Sequence, residues 1–349
     1  MGLFVVFMLA GVVIGLLTWP TSEPTGSAWF WIRLLGLPAL AWCLVYGFRL
    51  HHYDDETARQ NAEKEVRRQD REKAIRFASE PLAVIEIAYS TAAGESKLSD
   101  LILSKEEILS ARKPRGGKHA VRHTALDVDV SASTEDQYGR CFDNLLDRMD
   151  EALNSVPSDV PLTVALHLPA DTEADKLVSA WEGCWKAKKF RHARVTLVPV
   201  EQGLMVLDEW LDVRGGPALE KFVLFVSAQL HRSPPENSAE SAVATLLAWA
   251  PLAVRRNLTP LALLHRPTVS DVSDFHTGIP KALLCGNATN IEVNDLWQAG
   301  LFPEDKTAFL ESAPKLALGL SHASDFSGIH DVDVAIGHPG VCAVPSISG

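Results

Sequence analysis

Two apolar runs near the start of the chain constrain its folding most. Residues 3 to 19, LFVVFMLAGVVIGLLTW, carry no charge, and residues 28 to 48, AWFWIRLLGLPALAWCLVYGF, carry one, Arg33. A helix needs about 20 apolar residues to cross roughly 30 Å of hydrocarbon. The second run meets that length. The first is at its short end, where slight thinning of the bilayer suffices. Trp19, Trp29 and Trp31 gather around the loop 20–27, and tryptophan favours the headgroup level. Arg33 is close enough to that level to snorkel there. A cleaved signal sequence fits less well, because no Lys or Arg precedes the first run and no A-x-A site precedes Pro20. The sequence predicts a transmembrane helical hairpin over residues 1–50. Gly11-x-x-x-Gly15 has the spacing that lets membrane helices approach closely. Glycine is common in such helices, and chance accounts for the spacing more readily.

Orientation follows from basic residues. The loop between the runs has none, whereas Arg49, Arg59, Lys64, Arg67, Arg68, Arg71, Lys73 and Arg76 come after the second run. The positive-inside rule places that side in the cytoplasm. Residues 51–78 mix both signs, are rich in Glu, Arg, Lys, Gln and Ala, and hold no Gly or Pro. Opposite charges four apart, such as Glu63 and Arg67, support a solvated helical stalk.

Beyond the stalk the chain has the composition of a folded protein. Of the 349 residues 47% are hydrophobic, which excludes disorder for the chain as a whole. The balance of 33 Lys+Arg against 44 Asp+Glu, a net charge of -11, argues against a nucleic-acid binder. Five cysteines are too sparse for a disulfide framework. Strand-like segments at 81–89, 161–168, 192–200, 221–230 and 260–267 alternate with helical spacing at 139–156, 172–190, 203–213 and 239–257. Asp171 is placed to cap the second of these helices, and Pro251 to kink the last. Weaker strand and helix signals come at 291–301 and 305–320. The pattern predicts an α/β fold with a largely parallel or mixed sheet covered by helices. The expected division is an N-terminal α/β domain over 79–215 and a C-terminal one over 216–349. The tail at 331–349 reads as the end of a domain cut short.

No motif commits the chain to a reaction. Ser227 ends an apolar strand in FVSAQ, but Phe225 and Gln229 stand where a nucleophile elbow needs glycine. Cys43, Cys141, Cys184, Cys285 and Cys342 form no CxxC pair and read as buried thiols, with Cys285 the one candidate nucleophile. His51 and His52 sit at the inner membrane face, and His167 and His265 lie in predicted strands. Asp127 and Asp129 in ALDVDVS would share a strand face; paired carboxylates or a solvated edge explain them equally well. The stretch 91–123 reads as a polar loop, with a basic, glycine-containing part around Lys113, Arg115, Gly116, Gly117, Lys118, His119, Arg122 and His123. It lacks the P-loop pattern, and no GxGxxG comes after a strand. No catalytic, cofactor or metal residue is assigned.

Three segments together carry a resemblance: EKFVLFVSAQLHRSPPENSAESAVATLLAWAPLAVRRNLTPLALLHRP (220–267), NDLWQAGL (294–301) and DVDVAIGHPG (331–340). They resemble the type VI secretion lipase adaptor family called Tla3, over roughly residues 80 to 340. The resemblance implies a non-enzymatic protein that binds a lipase effector of the Tle3 type and helps load it onto the VgrG spike. With the hairpin, it implies a two-pass protein of the bacterial inner membrane, in contact with lipid through residues 3–48, with its soluble part in the cytoplasm. It carries over no catalytic residue and no cofactor. Two other readings stay open. One is an α/β or thiolase-like enzyme, which would need Cys285 or Ser227 beside a histidine. The other is a structural inner-membrane component of a secretion complex.

Overall fold

The computed structural model describes residues 2–20, 24–114, 119–128, 132–322 and 327–343. It divides into two compact units, Met1–Ala74 and Ile75–Gly349.

In the first unit, α1 (Gly2–Leu17) is followed by α2 (Ala28–Trp31), a π-helical turn (Ile32–Gly36) and the long α3 (Leu37–Ala78). Ala28–Ala78 form one helix long enough, and apolar enough over part of its length, to cross a membrane, and Phe4–Leu17 is a shorter apolar one. The two pack closely. A Cβ built on Gly11 would lie 2.0 Å from Cγ of Pro38, and one on Gly15 would lie 3.0 Å from Cδ1 of Leu34. The glycine spacing is therefore a contact, and chance does not account for it. Phe4 meets Trp42 edge-on at 5.0 Å, Trp19 meets Phe30 at 4.9 Å, and Arg33 donates to Thr18 Oγ1. The charged half of α3 stands in solvent, with residues 51–74 all exposed. A helix polar on every side relies on pairs along its own surface. Here Arg68 bridges Glu65 at 2.7 Å and Glu72 at 2.9 Å. Hydrogen bonds from Arg68 and Gln69 hold the Glu65 carboxyl down at about 2.

The second unit is built on a six-stranded mixed sheet. Its elements run β1 (Leu82–Thr91), α4 (Leu98–Leu103), β2 (Ser110–Arg112), β3 (Val121–Thr124), α5 (Thr134–Ser155), β4 (Leu162–His167), α6 (Ala174–Ala187), β5 (Arg194–Val198), α7 (Met205–Leu211) and β6 (Phe222–Gln229). Then come β7 (Ser238–Ala239), β8 (Ser241–Trp249), α8 (Ala250–Arg255), β9 (Ala262–Leu264), α9 (Phe275–Cys285), β10 (Leu296–Gln298), α10 (Pro303–Lys315), β11 (Ile329–Asp331) and α11 (Val332–Ile336). The main sheet has the order β5-β4-β6-β8-β1-β9. β5, β4 and β6 are parallel, and β6, β8, β1 and β9 pair antiparallel. α5 and α6 cover one face, where Phe142, Leu145, Met149 and Trp181 pack on Val164, Leu166, Leu224 and Val226. α7 covers the other with Leu207, Trp210 and Leu211 against Ala165, Val223, Phe225 and Leu247. Every residue of β6 is buried, as its unbroken apolar sequence predicts.

The structure departs from expectation in four places. Residues 239–257 are not one kinked helix but strand β8 followed by α8. Ala242, Ala244, Leu246 and Ala248 alternate onto the α5 face, a period of two that the alanine-rich composition hides. Pro251 falls in the first turn of α8, where its missing N–H costs no hydrogen bond. The division expected at 215/216 runs through the main sheet, because β4 and β5 on one side pair with β6 on the other. Glu173, not Asp171, precedes α6, and it caps nothing with its side chain. The polar stretch 91–123 holds α4, β2 and β3, while Arg115, Gly116, Gly117 and Lys118 lie outside the described residues. So do Asp129 and the last six residues of the chain.

Candidate functional site

Open α/β sheets bind ligands beyond the carboxyl ends of their parallel strands. In this chain β4 and β6 are parallel neighbours ending at His167 and Gln229. Beyond them lies a cavity of about 380 Å³ whose lining includes Thr134, Tyr138, Asp171, His231 and Arg232. α5 begins at its wall, where Ser133 Oγ accepts from the Asp136 N–H at 3.1 Å. Arg232 donates from Nε and Nη2 to Thr134 Oγ1 at 2.8 and 2.5 Å. Lys176 bridges Glu173 at 2.7 Å and Glu135 at 3.3 Å, and hydrogen bonds to these two carboxylates raise its pKa. The Tyr138 hydroxyl accepts from the Leu230 N–H at 3.2 Å, and burial raises its pKa above the ordinary range.

Glu240, 2% exposed, bonds the backbone of His231, one of the lining residues. Its two oxygens accept from the N–H groups of His231 at 2.9 Å and Leu126 at 3.0 Å. The carboxylate thereby ties the loops after β3 and β6 to the start of β8. Burial lowers the pKa of His231, opposed by the charge of Asp171. Asp171 and Arg232 give this lining a carboxylate and a guanidinium that can meet a polar group. Ser133 Oγ donates to Asp136 Oδ2 at 2.8 Å.

The structure brings two sequence candidates together. Ser227 on β6 lies opposite His167 on β4, both on the face that carries Phe225. Ser227 is 5% exposed and His167 2%. Burial lowers the His167 pKa, with hydrogen bonds to the backbone of Val200 and Val341 opposing it. A turn at Gly340–Cys342 packs on this end of the sheet, the Val341 N–H donating to Gln229 Oε1 and Cys342 Sγ to the Ser241 carbonyl. Neither Ser227 nor His167 lines this cavity or the three others named below.

The other candidates stand apart. Cys285 ends α9, 7% exposed, and lines a cavity of about 320 Å³ with Lys281, Arg266 and Phe77 but no histidine. Cys141 is buried on α5, and the thiol of Cys184 donates to the Gly139 carbonyl beside a cavity of about 610 Å³. Burial pushes the Cys342 thiol up to about 12. Cys43 is exposed on α3, where His51 lies 3.5 Å from Asp55. His265 comes just after β9, its Nδ1 buried. Asp127 belongs to no strand and lines the largest of these cavities, about 770 Å³, with Glu95, Arg112, His123 and Arg140. Among the described residues no group of three or more His, Cys, Asp or Glu could hold a metal ion.

Sequence reasoning missed Glu240 and Arg266. Arg266 lies just past β9 with its side chain 8% exposed. It donates to Asp208 at 2.9 Å, Asp212 at 2.6 Å and the Leu211 carbonyl at 2.6 Å, and its guanidinium lies 4.9 Å from the Phe77 ring. A charge inside an otherwise apolar run, as in PLALLHRP, was the available signal for a buried partner.

No protein-family model matches this sequence, and no curated protein matches it. Among solved structures the chain is similar to a β-ketoacyl synthase from Burkholderia phymatum STM815, at 11% identity and a TM-score of 0.49, over 76% of this chain and 84% of that one. It is also similar to a single-substitution variant of Xanthomonas campestris OleA with bound lauric acid and lauroyl-CoA, at 11% identity and a TM-score of 0.44, over 76% and 89%. At this level of overlap neither likeness bears on what this chain does.

Proposed function

We propose that the chain is a membrane-anchored adaptor that binds a secreted lipase effector of the Tle3 type and helps load it onto the VgrG spike of a type VI secretion machine. One observation carries this reading. The three segments on which the Tla3 resemblance rests lie far apart in sequence, yet they bond to one another in the fold. Ser238 bridges His338, Gln298 pairs with Asp331, and the Gly300 N–H donates to Asp333 at 2.8 Å. The resemblance therefore tracks one connected part of the structure. The apolar helices before it support an anchor, which raises the local concentration of a cytoplasmic adaptor at the inner membrane. In this reading the protein is two-pass, non-enzymatic and without cofactor. The test is affinity purification of the full chain from a host carrying the neighbouring secretion genes, read by mass spectrometry. Recovery of a lipase with VgrG is the expected result. Recovery of secretion-base proteins alone would replace the adaptor with a structural component.

The β4–β6 register sets Ser227 opposite His167, whose Nε2 bonds nothing among the described residues, and this juxtaposition favours a second reading, an α/β or thiolase-like enzyme. A fluorophosphonate probe separates the two. Labelling of the chain that Ser227→Ala abolishes would support the enzyme. No labelling by the fluorophosphonate, and none by iodoacetamide that Cys285→Ser abolishes, in a chain that recovers its effector would remove it.

A further inference from the structure

We propose that the outer edge of β5 docks an extended acidic segment of a partner polypeptide, which adds a strand to the main sheet. β5 is the last strand of the sheet on its side and pairs only with β4. Among the described residues no backbone hydrogen bond outside that pairing engages Arg194–Val198. A free edge presents a row of donors and acceptors to any chain that can lie along it. Arg194 and Leu197 are exposed, Leu197 by 43%.

The approach to this edge is the basic run KAKKFRHAR, residues 186–194, in a chain of net charge -11. Two of its charges are engaged internally. Lys188 pairs with Asp147 and Asp143, and Arg191 donates to the carbonyls of Pro157 and Val160. Lys186, Lys189 and Arg194 are exposed, and among the described residues no ion pair engages them. Their backbone is held in place. Trp185 Nε1 donates to the Arg191 carbonyl at 2.9 Å, and Phe190 packs on the Trp185 ring at 5.0 Å. The basic end of the edge repels an identical edge, so a second copy of this chain is a poor occupant. An acidic strand gains charge complementarity together with main-chain hydrogen bonds. The inference rests on the protein-binding reading only in taking the partner to be a polypeptide.

The probe is a fluorescein-labelled octapeptide of alternating Glu and Val, titrated by fluorescence anisotropy against the full chain in detergent micelles. Saturable binding is expected, weaker at 300 mM than at 50 mM NaCl because exposed charges are screened. The variant K186E/K189N/R194E should bind at least tenfold more weakly. Asn replaces Lys189 because φ there is +58° and Asn tolerates that region. The variant must keep the wild-type melting midpoint, which exposed substitutions away from partners allow. The same peptide N-methylated at every amide should not bind. Absence of saturable binding, equal binding by the variant, or retained binding of the N-methylated peptide would each overturn the proposal. Anionic vesicles that bind through these three residues without competition from the peptide would overturn it in favour of a lipid surface. If wild type binds the peptide but recovers no lipase, the edge stands and the adaptor fails. If the variant loses the peptide yet recovers the lipase, the edge still binds acidic strands but is not the lipase site.

Discussion

The Arg266 guanidinium ties three elements at once: Asp208 and the Leu211 carbonyl of α7 with Asp212 just after it, the ring of Phe77 in the last turn of α3, and its own strand end. Arg266 is buried while its carboxylate partners reach solvent, so its removal costs packing and charge-assisted hydrogen bonds and leaves no buried carboxylate stranded. Arg266→Ala should lower stability by about 1–3 kcal/mol, read from urea unfolding of the full chain. His167 makes a pH-dependent contribution of definite sign. Its pKa is lowered in the fold, so the unfolded chain takes up a proton first as pH falls. Stability should hold at pH 7 and above, start to fall below the ordinary histidine value of about 6.5, and go on falling until the folded value is passed. His231 acts in the same sense. Melting midpoints between pH 7 and 5 should drop less steeply in His167→Gln than in wild type. At this scale little could be read from sequence. Ser227 and His167 are 60 positions apart, and only the β4–β6 register makes them neighbours. Glu240 sits among small residues that suggest a helix surface, and nothing local announces that its oxygens are buried acceptors.

Elements were more legible where one face pattern dominated. α5 shows its buried stripe Phe142, Leu145, Leu146, Met149 and Leu153 directly in the spacing, and β6 shows its burial in an unbroken apolar run. β8 was hidden because alanine serves helix and strand alike, and its identity comes from pairing with β6 and β1. That identity is testable. Ala244 is fully buried against the α5 side, so Ala244→Leu should overpack and cost about 1–3 kcal/mol, whereas Val243→Leu on the opposite face should cost less than about 1.5 kcal/mol. In the hairpin, Gly11→Leu should push α1 off Pro38. A flexible bis-maleimide joining cysteines placed at Phe4 and Trp42, in a Cys43→Ser background, should crosslink in the parent and lose yield in the glycine variant.

At the scale of the whole molecule, two predictions from sequence were strongest: an apolar amino-terminal pair of helices and an α/β unit after a charged helix. Both depend on composition over tens of residues, which survives local error. The boundary at 215/216 was not legible, because strand partnership between distant segments leaves no trace in either segment alone. If the apolar helices anchor the chain, it should stay in the membrane fraction through alkaline carbonate extraction, and removal of residues 2–48 should release it.

The placement of β1 has a temporal side. It lies between β8 and β9, so both its hydrogen-bonding edges wait for partners made much later. About 150 residues separate Thr91 from Ser241, which at roughly 5–20 residues per second is on the order of ten seconds of translation. Throughout that interval the nascent β1 is an unpaired apolar strand that follows a hydrophobic hairpin in the chain. The run of 24 exposed, mostly polar and charged residues from 51 to 74 then separates it from that hairpin while the ribosome completes the sheet.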